Sequence, residues 1–128
     1  MKSPDVHVTG YAPHSLLFPR AEAIVHQGGI GTLAQGLRSG RPQLIVPFYA
    51  DQIDNASRAV HLGVARRVAP RHYDARSATL ELDALMRIPE YAARAIQVRA
   101  RIGREDGAGS AASLVLDRLE SLRSASNP

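Results

Sequence analysis

Seven consecutive residues, His26-Gln27-Gly28-Gly29-Ile30-Gly31-Thr32, hold the densest chemistry in this chain. Glycines let the backbone approach a bulky anion, and the free N–H groups of a helix start receive its charge. Thr32 adds a hydroxyl donor. His26, closing the apolar run before the glycines, adds a ring N–H that can reach a phosphate oxygen. The chemistry suggested is capture of a phosphate or diphosphate. Two other readings stand beside it. One is a strand-to-helix glycine turn with no ligand. The other is a nicotinamide-dinucleotide unit, because Gly29, Gly31 and Ala34 fit G-x-G-x-x-A and Asp51 follows about 20 residues later. In that fingerprint the acid closes the second strand, whereas here Pro47-Phe48-Tyr49-Ala50 intervenes, and Tyr11–His14 and Gln52 are left without a role.

The elements that must position these residues alternate in type. Val6 and Val8 alternate with His7 and Thr9, which predicts a strand ending at Gly10. Tyr11-Ala12-Pro13-His14 reads as a turn, with Pro13 starting a short helix through Phe18 before Pro19. Glu22–His26, Gln43–Val46 and Val64–Val68 read as buried strands. Thr32–Ser39 reads as a helix stopped by Gly40, and Asp51 as the N-cap of a helix reaching about Leu62 and stopped by Gly63. Strands alternating with helices at this spacing imply right-handed βαβ units and a parallel sheet, with ligands outside the carboxyl ends of the strands. The loops Tyr11–His14, Gln27–Gly31 and Pro47–Gln52 are expected to gather at that edge.

The second half reads as helical. Ser77 is placed as the cap of a helix carrying Leu80, Leu82, Leu85 and Met86. Pro89 opens another, with Tyr91, Ala95, Val98 and Ile102 on one face. After a break at Gly103–Gly109, a last helix from about Ser110 is expected to turn Ala111, Leu114, Val115, Leu119 and Leu122 inward, with a frayed tail from Ser124 to Pro128.

Composition narrows the classes. The 128 residues suffice for one modest domain. With no cysteine there is no disulfide, thiol nucleophile or cysteine zinc site, which fits a cytoplasmic setting. Apolar runs stop far short of the ~20 residues of a membrane span, and Met1–Thr9 lacks a signal-peptide core. A net charge of +4 raises nucleic-acid binding, but the arginines are dispersed and only 5% of residues are aromatic, so no base-stacking platform stands out. His7, His61 and His72 read as structural or exposed, and Ser15, Ser39 and Ser57 lack a paired base. The five histidines do not suggest a metal site.

Taken in order, Tyr11-Ala12-Pro13-His14, Leu17, His26-Gln27-Gly28-Gly29-Ile30-Gly31-Thr32, Gly40-Arg41-Pro42 and Pro47-Phe48-Tyr49-Ala50-Asp51-Gln52 resemble the donor-binding signature of family 1 glycosyltransferases of the GT-B fold. The likeness is to the bacterial macrolide, rhamnolipid and sterol types, with H-x-G-G-x-G-T and P-x-x-x-D-Q. It continues through Asn55-Ala56 and Leu62-Gly63-Val64 and, more weakly, Pro89-Glu90-Tyr91 and Glu105-Asp106-Gly107. It implies an α/β fold, a Rossmann-like parallel sheet with flanking helices, forming part of the C-terminal half of a GT-B protein. Residues 1–128 would be a partial nucleotide-sugar-binding domain, with βα units over about 5–68 and C-terminal helices over about 75–123.

The resemblance also implies roles. Tyr11 matches the aromatic that stacks on the nucleotide base, where plant relatives mostly carry Trp. The backbone near Ala12 would meet the base edge and His14 would lie near base and ribose. His26, Gly28, Gly29, Gly31 and Thr32 match the diphosphate cradle. Asp51 and Gln52 match the pair that binds sugar hydroxyls. The implied donor is a UDP- or dTDP-sugar, the implied reaction inverting transfer of a hexose to an acceptor hydroxyl, and no cofactor or metal is expected. The general base and the acceptor pocket belong, in such enzymes, to an N-terminal domain that this sequence does not contain. The domain is therefore expected to be incomplete alone. It is read as a segment of an enzyme or as a non-catalytic partner that completes its sheet, or oligomerises, through an exposed edge. A separate N-terminal half is the partner implied.

Overall fold

Three apolar runs make the sheet: β1 (Ile24–His26), β2 (Gln43–Ile45) and β3 (Ala65–Arg67). All pair in parallel in the order β1-β2-β3, with Val25 level with Leu44 and Leu44 level with Arg66. The chain is described over residues 4–125 by a computed structural model. A short helix, α1 (His14–Leu17), and a 3-10 turn at Phe18–Arg20 precede β1. Helix α2 (Ile30–Ser39) joins β1 to β2, and α3 (Asp51–His61) joins β2 to β3. Three helices follow: α4 (Ala75–Arg87), α5 (Pro89–Ile102) and α6 (Gly107–Ala125).

The pleat of β2 divides the core. Ile45 packs with Leu33 of α2, Ala56 and Ala59 of α3 and Ala95 of α5. Leu44, pointing the other way, packs with Val68 and Leu85 of α4, with Tyr91 against them. Every residue of β2 is buried, as expected of a strand covered on both faces. On β3, Arg66 pairs with Glu81 of α4 and donates to the Tyr91 hydroxyl of α5 at 2.9 Å, tying the strand to two helices. Gly40 closes α2 in the left-handed conformation at φ 71°, and Gly63 ends α3 at φ 73°, the conformation in which glycine carries no side-chain penalty.

Several sequence expectations give way. Val6–Thr9 forms no strand, and Val8 is 87% exposed. A strand needs a neighbour to satisfy its backbone groups, and among the described residues none lies on the outer edge of β1. Asp51 is not an N-cap: Ala50 is, and it makes no side-chain cap bond. Ser77 is not the cap of α4 either. Asp74 caps it, accepting from the Ser77 N–H at 2.8 Å, while the Ser77 hydroxyl accepts from the Asp74 N–H at 3.0 Å, a reciprocal capping box. Helix α6 starts at Gly107, and Leu114, Val115, Leu119 and Leu122 are 47–70% exposed instead of facing inward. The reason is occupancy: α2, α3 and α5 already cover the Ile45 face, and α4 covers the Leu44 face. Ser124 and Ala125 are helical, and the rest of the expected tail lies outside the described residues.

This division of the core makes a stability contrast. Leu44→Ala should cost about 2–5 kcal/mol. Leu116→Ala, on the exposed α6, should stay within about 0.5 kcal/mol of the parent. Urea unfolding followed by far-UV circular dichroism measures both. A large loss at Leu116 would mean that α6 packs against the domain.

Candidate functional site

The carboxyl ends of β1 and β2 run into the two loops that form the site. After β1, the chain turns through Gly28 at φ 92°, and Gly29 serves as the N-cap of α2 without a side-chain cap bond. The first N–H groups of α2 lack intrahelical acceptors, as in any helix, and Gly31 borders open space. Position 28 admits only glycine. A Cβ there would lie 2.9 Å from Ile45 Cγ2 and 3.2 Å from the Gln52 carbonyl oxygen. With no side chain at position 28, the β1–α2 turn lies close against Ile45 and the β2–α3 turn.

A side chain then ties the two turns together. Asn55 Nδ2 donates to the Gly28 carbonyl at 3.0 Å and to Asp51 Oδ2 at 3.0 Å. Asp51 is exposed at the first position of α3, where the helix dipole favours a carboxylate. Gln52 turns inward. It is 8% exposed, and its Oε1 accepts the Phe48 N–H at 2.9 Å, fixing the loop that carries Asp51. Ala50 sits in that loop at φ 52°, ψ −134°, a region otherwise left to glycine. Phe48 and Tyr49 are exposed beside it.

His26 has both ring nitrogens engaged within the protein. Nδ1 lies 3.0 Å from the Gly28 nitrogen, whose N–H can only donate. The neutral ring therefore carries its proton on Nε2, which donates to Gln43 Oε1 at 2.8 Å. Burial lowers the His26 pKa below its ordinary 6.5, outweighing the Gln43 hydrogen bond, and the nearby His14 pushes the same way.

Tyr11, Ala12, Pro13 and His14 line a cleft of about 490 Å³ with Gly10, Ser15 and Gln35. Tyr11 is 80% exposed, with its backbone carbonyl accepting from the Thr9 hydroxyl at 2.9 Å, and His14 stacks on Phe18 with ring centroids 4.4 Å apart. Gln35 belongs to α2, so the cleft and the glycine turn share one helix. Five residues separate Gln35 from Ile30, about 7.5 Å along the axis. The Gln27–Gly31 and Pro47–Gln52 turns thus meet through Asn55 beyond the ends of β1 and β2, while Tyr11–His14 lies beside the middle of α2 at Gln35. His61, by contrast, lies at the β3 edge with Arg67 and Ser57, beside a separate cavity of about 410 Å³. Among the described residues no group of three or more His, Asp or Glu side chains is placed to hold a metal.

Residues 2–116 match the family model described as Erythromycin biosynthesis protein CIII-like, C-terminal domain. The chain belongs to this family of glycosyltransferase C-terminal domains. It is 41% identical over 115 residues to the vancomycin aglycone glucosyltransferase of Amycolatopsis orientalis, covering 88% of this chain and 27% of that protein. It is 35% identical over 115 residues to a sterol 3-beta-glucosyltransferase of Saccharomyces cerevisiae, covering 90% of this chain and 9% of the relative. The chain thus spans less than a third of the length of these relatives. Among solved structures, a kitacinnamycin glycotransferase superposes with a TM-score of 0.82 at 30% identity, over 88% of this chain and 29% of that one. The glycosyltransferase VinC, solved in complex with dTDP, gives 0.75 at 30% identity, over 80% and 26%. The mixed α/β fold with three parallel strands is that of the C-terminal domain of GT-B glycosyltransferases.

Two residues without a role assigned from sequence, Asn55 and Gln43, take part in the site's hydrogen bonds. Asn55 had a legible signal, since it lies four residues after Asp51 on one helix face. Gln43 had another: it is the polar residue of an otherwise apolar strand.

Two measurements follow from this geometry. Gly28→Ala should destabilise the domain by about 1–3 kcal/mol through strain at positive φ, whereas Gly31→Ala should leave stability near the parent. Thermal unfolding compares them, and equal tolerance at position 28 would contradict the contact with Ile45. The lowered His26 pKa sets a pH dependence. The unfolded chain binds the proton near 6.5 and the folded chain only at lower pH, so the His26 contribution to stability is intact above 6.5 and falls as pH drops through that window. His26→Gln should flatten the slope of stability measured between about pH 7 and 5. An unchanged slope would remove His26 as its source.

Proposed function

We propose that this domain binds the nucleotide-diphosphate-sugar donor of an inverting glycosyltransferase that passes a hexose to an acceptor hydroxyl. The observation that carries the reading is the Asn55 bridge, which sets an exposed carboxylate, Asp51, beside the open N-terminus of α2. In this reading Tyr11 stacks on the base, the Ala12 backbone meets the base edge, and His14 lies by the base and ribose. The α2 N-terminus, with Gly28, Gly29, Gly31 and Thr32, receives the diphosphate, whose departing charge is stabilised by preorganised N–H groups. His26 acts on the diphosphate through the Gly28 turn that it holds. Asp51 accepts from sugar hydroxyls, and Gln52 supports it by fixing the Phe48 loop and by its remaining amide N–H groups. Residues 5–68 carry the site, and 75–123 brace it.

The nucleotide is a uridine or thymidine diphosphate, a choice supported by the dTDP held in VinC. The general base and the acceptor pocket lie outside this domain, in an N-terminal half that closes over the donor. A cytoplasmic setting suits a cysteine-free, donor-binding chain. The dinucleotide reading loses its acid, because β2 ends at Ile45 and Asp51 belongs to the following helix.

Calorimetric titration tests the proposal. UDP and dTDP, with their glucose conjugates, should bind saturably, and NAD should not compete. Asp51→Ala should weaken the sugar conjugates about 10–150-fold while leaving the bare nucleotides nearly unchanged, as loss of a hydrogen bond to a charged acceptor implies. Equal weakening of conjugate and nucleotide would move Asp51 away from the sugar.

A further inference from the structure

A fully buried glutamine at the head of the central strand calls for explanation. Gln43 is 0% exposed, and an apolar residue would fill its place without desolvating an amide. Its Oε1 accepts from His26 Nε2 at 2.8 Å. Its Nε2 is buried and has no hydrogen-bond partner among the described residues. Rotating the amide does not cure this. The Gly28 N–H already donates to His26 Nδ1, so the neutral ring has its proton on Nε2 and needs an acceptor there. Only Oε1 can serve, and the orphaned Nε2 is the consequence. A buried amide nitrogen without a partner is unfavourable, and it is retained here.

Space for it is also made on purpose. Gly36 is buried in α2 facing Gln43, and a Cβ at that position would lie 2.2 Å from Oε1 and 3.0 Å from Nε2. Glycine inside a helix carries its own penalty relative to alanine. Two unfavourable features thus converge on one hydrogen bond to His26. From His26 the path continues to the Gly28 N–H, and from the Gly28 carbonyl through Asn55 to Asp51.

We infer that Gln43, given room by Gly36, is a positioning residue that holds His26 as its Nε2–H tautomer and thereby locks the Gly28 turn in front of α2. Its effect on ligand binding rests on the donor-binding reading above, but its effect on the turn does not. Gln43 touches no solvent and acts only through the imidazole. With Gln43 in place Nδ1 is a bare acceptor and the Gly28 N–H is held. Without it, Nε2–H is left buried and unpaired, the proton can move to Nδ1, and the two N–H groups then face each other.

The test uses the full chain and two variants, Gln43→Met, which keeps the length of the side chain and removes the acceptor, and Gly36→Ala, which pushes on Gln43 from α2. Long-range proton–nitrogen spectra of the imidazole report the tautomer, and hydrogen exchange reports the Gly28 amide. The parent should show a single Nε2–H tautomer and a protected Gly28 amide. In Gln43→Met the ring signals should shift toward a tautomer mixture, and Gly28 exchange should quicken about tenfold or more, the loss of one hydrogen bond. A parent ring with its proton on Nδ1 overturns the inference without any variant. Variants that are less stable yet keep the parent tautomer and Gly28 protection also overturn it, since Gln43 would then be a packing residue. Titration with UDP and dTDP separates the two readings. A parent that binds neither sinks donor binding and leaves the tautomer to decide this inference. A parent that binds, with Gln43→Met binding equally, sinks the positioning role.

Discussion

The geometry of the site depends on one close approach, that of the Gly28 backbone to Ile45 and to the Gln52 carbonyl. Ile45 is a core residue, packed with Leu33, Ala56, Ala59 and Ala95, so its Cγ2 cannot yield to a side chain at position 28. The glycine lets the turn sit directly on the core. Its carbonyl is then within reach of Asn55, its N–H within reach of His26, and the next residue caps α2. Core packing thus fixes the position of the loop.

Much of this was legible from residue types. The glycine turn, the left-handed stop at Gly40 and the Pro89 helix start each have a local cause, and the alternation of strand and helix sets the parallel sheet. The expectations that failed concern what surrounds an element. Val6–Thr9 has the alternation of a strand, but pattern alone supplies no hydrogen-bonding neighbour. The stripe on α6 has the spacing of a buried face, but the two clusters on either side of β2 are built from α2, α3, α4 and α5, and α6 contributes to neither. Asp51 and Ser77 have the composition of caps, and a shift of one residue in the first case and three in the second gave the position to Ala50 and Asp74. Local signals locate an element within a few residues, and long-range packing decides its ends and its face.

The polar residues divide in the same way. Tyr11, His14 and Asp51 are exposed, so their chemistry can be inferred from side-chain type and order along the chain. His26, Gln43, Gln52 and Asn55 are engaged in hydrogen bonds within the protein, three of them to loop backbone. Gln52 reads in sequence as one half of an acid-amide pair beside Asp51. In three dimensions it turns inward, and its side-chain Oε1 accepts the Phe48 N–H while Asp51 stays outside. Adjacent residues at a helix start point about 100° apart, so a D-Q pair presents one side chain outward and commits the other to the loop.

The two edges of the sheet are built differently. On β3, Arg66 is engaged by Glu81 and Tyr91, and Arg67 donates to the Ser57 hydroxyl at 3.0 Å. Charged side chains of this kind protect an edge from pairing with another strand. On β1 the sequence Ile-Val-His offers no such protection, and Val25 is half exposed on the face away from Gln43. Ile24 and His26 direct their backbone groups to β2, since the Ile24 N–H donates to the Pro42 carbonyl and the His26 carbonyl accepts from the Val46 N–H. Parallel pairing alternates, so the N–H and C=O of Val25 face the other way. Strand β1 therefore has the side chains of an interior strand and the backbone groups of an open one. The glycine turn grows directly from this strand, so whatever lies along β1 bears on the turn in front of α2, while the β3 edge, with its arginines engaged, stands apart from it.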